Sequence, residues 1–221
     1  MMNPMTILRR PLKELTQYDD EFWANYLFMT DPIACKYQGL DHMELIVQAR
    51  QCGKTAAKEF LEMYGHPFDR VTICKQNKLL LRNQVPLNAS GMVLGQFHPP
   101  NQLFINKAAI TQVAAFLENR AIKSTDTEIA NLVFGHEFFH WIEEQQQASI
   151  YTRTKKVQLR KFLGIPQIVN LRVLSEIAAM VFTKEINDSK FNPCLLDCAL
   201  IQGKGDYYES ENISLSRKTT R

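Results

Sequence analysis

The chain has 221 residues, 45% of them hydrophobic, with 26 basic and 23 acidic side chains and a net charge of +3. That length holds one domain, or one domain with an appendage, and the apolar share is enough for a real core. The near balance of charge carries no nucleic-acid signature, no apolar run is long enough to span a membrane, and no apolar run follows Arg9 and Arg10 to make a signal peptide. Cys35, Cys52, Cys74, Cys194 and Cys198 are odd in number and scattered, unlike a disulfide framework. A soluble protein of the reducing cytoplasm is expected.

In chain order, residues 1–54 read as a helical accessory region. Its first segment, Glu21 to Met29, is rich in aromatics and ends before Asp31-Pro32. Asp41 to about Met63 predicts a second helix, with Gly53 as the point where it could break. Gly53-Lys54-Thr55 is no phosphate loop, because Gln48 stands where that motif needs glycine and no strand precedes it. Val71 to Cys74 and Leu79 to Leu81 read as short strands joined by a turn over Lys75 to Lys78. Met92 to Phe97 and Gln102 to Asn106 predict a hairpin around His98-Pro99-Pro100-Asn101. His98 reads as a surface turn histidine in preference to a transition-state donor. Ala108 to Arg120 adds a helical stretch.

Thr125-Asp126-Thr127-Glu128 has the form of a capping box, and apolar residues follow it at helical spacing. Inside that helix lies His136-Glu137-Phe138-Phe139-His140, an HExxH pentapeptide. Residues four apart share a helix face, so both imidazoles can reach one ion, and Glu137 stands beside them as general base. Two histidines and a glutamate in an apolar helix are costly unless paired or bound to metal. Zn²⁺ in a catalytic site takes about three protein ligands and keeps one position open. The third ligand must come from elsewhere. Glu143 and Gln146 stand where HExxHxxGxxH would have Gly and His, which excludes that pattern. Glu143 and Glu144 lie on the same helix and read as solvated acids near its end. Glu176 is a lone acid in the amphipathic stretch Leu174 to Phe182, where Ala178 and Ala179 would allow close packing on the HExxH helix. Glu176 is the preferred third ligand. Mn²⁺ or Fe²⁺ would suit the same donors.

With His136, Glu137, His140 and Glu176-x-x-Ala179-x-x-Phe182 in hand, the chain resembles the ImmA/IrrE family of zinc metallopeptidases across roughly residues 55 to 186. Met63-Tyr64-Gly65, the Gly91 to Phe97 hairpin strand and Leu103-Phe104-Ile105-Asn106 also fit that pattern. Met180, the extra helix from Ala108 to Arg120, and a longer basic segment depart from it. The resemblance implies an α+β, zincin-like fold, with a small mixed sheet packed on the HExxH helix and a following Glu-bearing helix. It implies one zinc ion held by His136, His140 and Glu176, with Glu137 as the catalytic base. In zincin folds a strand beside the active-site helix often pairs with the substrate; here Leu103 to Asn106 or its hairpin partner would do so. The substrate implied is a protein or peptide, such as a DNA-binding repressor that is cleaved. The rival reading is a metal-binding regulatory protein with conditional or no peptidase activity. A di-iron protein would need a second Glu-x-x-His helix, and none is visible.

After the HExxH helix, Arg153, Lys155, Lys156, Arg160 and Lys161 read as a solvated connection, and Tyr151 as a candidate oxyanion donor. Cys194 and Cys198 read as two buried thiols one helical turn apart. The division expected is 1–54 accessory, 55–200 metallopeptidase domain and 201–221 flexible polar tail.

Overall fold

A computed structural model describes residues 7–37, 39–83, 93–162 and 165–203. Its elements are α1 (Leu12–Leu15), α2 (Asp20–Thr30), a 3₁₀ turn (Ala34–Lys36), α3 (His42–Tyr64), α4 (Arg70–Gln76), β1 (Leu80–Arg82), β2 (Gly95–His98), β3 (Gln102–Ile105), α5 (Lys107–Glu118), α6 (Asp126–Gln145), α7 (Tyr151–Thr154), β4 (Val157–Phe162), β5 (Ile165–Val169) and α8 (Arg172–Ile186). A further helix, α9, covers 194–203. The class is mixed α+β, with helices dominant and two small sheets. Among the described residues no helix is long and apolar enough to cross a membrane. Gly91 and Met92 of the expected strand lie outside the described residues, as does the expected tail from residue 204 onward.

Local chemistry sets the helix starts. Asp19 accepts from the Phe22 N–H at 2.8 Å and opens α2. Asn106 accepts from the Ala109 N–H and opens α5. The capping box at α6 forms in both directions: Thr125 accepts from the Glu128 N–H at 3.2 Å, and Glu128 accepts from the Thr125 N–H at 2.7 Å.

One strand expectation is overturned. Val71 to Cys74 lie inside α4, because Asp69 accepts from the Thr72 N–H at 2.8 Å and caps a helix there. The cap and the burial of Ile73 and Cys74 outweigh the strand preference of Val71, Thr72 and Ile73. The connection after α6 is also more ordered than expected, since β4 and β5 pair as an antiparallel hairpin.

The first sheet has strand order β1-β3-β2, with β1 parallel and β2 antiparallel to β3. The hairpin around His98 to Asn101 forms as expected. Among the described residues β3 is central and β2 lies at the edge of the sheet, where it packs on α6.

Helix α3 runs 23 residues without a break. Gly53 is there for close approach: a Cβ on it would lie 2.3 Å from the Ala178 carbonyl oxygen of α8. The missing side chain of Gly53 thus lets α3 lie against the α8 backbone at Ala178. The main core joins Phe60 of α3, Phe134, Phe138 and Phe139 of α6, and Phe182 of α8. Phe60 meets Phe138 and Phe182 edge-on, with centroids 5.5 and 5.6 Å apart. A second cluster joins Phe28 of α2 and Leu45, Ile46 and Ala49 of α3 to Val157 and to Leu174 and Ile177 of α8. Cys194 and Cys198 are buried on α9, one turn apart, as expected.

Candidate metal centre

Helix α6 presents His136 and His140 from successive turns, and α8 brings Glu176 to them. The two Nε2 atoms are 3.1 Å apart. Glu176 Oε2 lies 3.3 Å from His136 Nε2 and 3.9 Å from His140 Nε2. Donors about 2.0–2.1 Å from a tetrahedral ion are separated by roughly 3.3 Å, so these three side chains already stand at ligand spacing. No other group of three or more His, Cys, Asp or Glu among the described residues could hold an ion.

The hydrogen bonding fits a cation as well. His140 Nδ1 faces Glu143 Oε2 at 3.0 Å. A proton on Nδ1 then leaves Nε2 as a lone pair, pointing at the second imidazole. His136 Nδ1 is buried and has no hydrogen-bond partner among the described residues. Two nitrogens and a carboxylate oxygen converge on one point, and positive charge there satisfies all three.

The electrostatics agree. Burial lowers the His136 pKa, but the hydrogen bond to Glu176 and the negative charges of Glu137 and Glu176 outweigh it and bring it to about 9. Burial raises the Glu176 pKa, but the hydrogen bond and charge of His136, with His140 and Arg172, hold it at about 2. The cluster favours a cation between its members, and a divalent metal answers that demand.

Glu137 is 8% exposed and lines the same cleft. Burial raises its pKa, and the charge of Glu176 adds to the rise; the two imidazoles and the Phe97 backbone N–H oppose it. A carboxylate raised in this way is a better proton acceptor than a solvated one. Strand β2 passes directly above it: a Cβ on Gly95 would lie 2.4 Å from Val133 Cγ1 and 3.1 Å from Glu137 Oε1.

Glu143 is a correction. It is fully buried, not solvated. Oε2 accepts from Ser175 Oγ at 2.6 Å and faces His140 Nδ1, and the Thr152 hydroxyl donates to Oε1. Glu143 therefore holds the far side of a ligand ring, and lies outside the converging donor set. Its i,i+3 spacing from His140 was the available signal. Ser175 and Thr152 gave none, because their contact with Glu143 arises only when α7 and α8 fold back onto α6.

Tyr151 is a second correction. It packs against the second core cluster and borders a groove with Cys52 and Ala56 of α3, away from the metal cleft. Thr152 and Arg153 line the cleft in its place. His98 packs tilted against Phe104, with centroids 4.9 Å apart, and does not line the cleft. The cleft holds about 600 Å³. Val93, Gly95, Gln96 and Phe97 form one wall, and Thr152, Arg153, Asn170 and Arg172 the other.

Comparison with known protein families, with curated proteins and with solved structures found no match.

Proposed function

We propose that the chain is a zinc-dependent metallopeptidase of zincin-like fold that hydrolyses a peptide bond in a protein substrate. The observation that carries this reading is the convergence of His136, His140 and Glu176 at ligand spacing in a cleft that Glu137 also lines. The resemblance noted from sequence supports a cytoplasmic regulatory protein, such as a repressor, as substrate.

His136, His140 and Glu176 would hold the ion. Bound zinc supplies Lewis acidity toward the attacking water and the scissile carbonyl. Glu137 takes the proton of that water and passes it to the leaving amine, a role its raised pKa favours. Glu143, fixed by Ser175 and Thr152, keeps the His140 ring turned toward the site. Strand β2, at the sheet edge among the described residues, would give an extended peptide main-chain partners along the cleft wall.

Elemental mass spectrometry of untagged, unsupplemented protein tests the site, with about one zinc per chain expected. Glu137→Gln should retain that metal and lose turnover by about a hundredfold or more. A protein that takes up no zinc when it is added would overturn the reading. A Glu137→Gln variant that cleaves substrate at the parent rate would remove Glu137 from its role.

A further inference from the structure

The cleft wall opposite β2 carries two guanidinium groups. Arg153 projects from α7 with its side chain 43% exposed, and Arg172 from the first turn of α8 with its side chain 87% exposed. Asn170 fastens them together. Its amide nitrogen donates to the carbonyls of Arg153 at 2.8 Å and of Thr152 and Lys155 at 3.2 Å. The turn bearing Arg153 is thereby clamped to the residue two before Arg172.

Neither cation is used up by its nearest acid. Arg153 reaches Glu143 only at 3.6 Å, and Arg172 reaches Glu176 only at 3.5 Å, at or beyond the limit of a direct hydrogen bond. Glu143 is already engaged by His140, Ser175 and Thr152. Glu176 is shared between His136 and His140. Both arginines line the cleft and carry guanidinium donors beyond these single contacts, in the form that recognises a carboxylate. Among the described residues lining the cleft, the only acids are Glu137 and Glu176. A dication held by His136, His140 and Glu176 would add positive charge beside both arginines.

Resting on the metallopeptidase reading, we infer that this cleft selects substrates with a carboxylate beside the scissile bond, recognised by Arg172 together with Arg153. An internal Asp or Glu side chain and a substrate's terminal carboxylate share this chemistry.

Binding separates specificity from turnover. Zinc-loaded Glu137→Gln protein is titrated with short fluorescent peptides that differ at one position, Glu, Gln or Lys, each with an amidated C-terminus. A matched Gln peptide with a free C-terminus is the second arm. The expected result is about tenfold tighter binding of a carboxylate-bearing peptide than of the amidated Gln peptide, falling as salt is raised. A gain confined to the amidated Glu peptide assigns the side chain; a gain confined to the free C-terminus assigns the terminus. Adding Arg172→Gln should shrink the preference to about threefold or less, and Arg172→Glu should turn it toward Lys. Zinc content is measured on every variant. Equal binding of all peptides overturns the inference. So does a preference that survives Arg172→Gln and Arg153→Gln together, or loss of zinc in these variants with the preference intact. Carboxylate preference without cleavage by the parent protein would overturn the peptidase reading and leave only the carboxylate site at Arg172 and Arg153, with no scissile bond beside it. Cleavage without preference would do the reverse, and no binding by any peptide would end both.

Discussion

At the residue scale the centre is decided by what each side chain has as a partner. His136, Glu137 and His140 were legible because their relation is local: four residues apart means one helix face. Glu176 was legible because an acid inside an apolar helix needs a partner. Glu143 was not, since sequence does not reveal that Thr152 and Ser175 enclose it. The expected outcome for Glu143→Gln is a fall in metal affinity of about 10- to 100-fold, with the metal still bound in the same donor set. Competition against a chromophoric chelator measures it. Glu176→Ala should cost more, because it removes a donor and not a support. If both variants held zinc as tightly as the parent, the ligand and supporting roles assigned here would be wrong.

At the element scale, the strand above the HExxH helix matters most. Strand β2 sits so close to α6 that Gly95 has no room for a methyl group over Val133 and Glu137. Gly95→Ala must displace the strand, with a destabilisation of about 1–3 kcal/mol typical of overpacking. It should also reduce turnover more than zinc content, because the displaced strand borders Glu137 while the ligands stand on α6 and α8. Denaturant titration and metal analysis of the same sample would test both. The hairpin around Pro99-Pro100 was readable from its turn residues, and α6 from its capping box. Helix α4 was not, since a run of β-branched residues points to strand until Asp69 is seen capping it. The β4–β5 hairpin was missed because its basic residues hide a strand pattern with little core of its own.

For the whole molecule, one ionic junction joins distant parts of the chain. Asp20 on α2 accepts from Lys184 of α8 at 2.9 and 3.0 Å and from Asn192 at 2.9 Å. Burial raises the Asp20 pKa, but these bonds and the charge of Lys184 outweigh it, so the net shift is downward. A carboxylate with a depressed folded-state pKa stabilises the fold above its unfolded value, near 3.9. That contribution is lost as pH falls through the lower folded-state value. Asp20→Asn should therefore cost about 1–3 kcal/mol at neutral pH. The gap to the parent should close below about pH 4, as unfolding curves across pH would register. A gap independent of pH would show that the Asp20 charge is not what matters.

The crossing of α3 and α8 at Gly53 and Ala178 sets how the chain comes apart. Helix α3 contributes Leu45 and Ile46 to one core cluster and Phe60 to the other, and α8 contributes to both. Position 54 falls inside that helix, so the residues on either side of it pack against the same helix, α8. Scanning calorimetry should record one endotherm for the metal-free protein, with calorimetric and van't Hoff enthalpies in agreement. Two separable transitions would mean that the N-terminal helices melt independently. With one, a fragment starting near residue 55 would lack half of its longest helix and leave the back of the Glu176 helix wet, so trimming the N-terminal region would loosen the metal centre from behind.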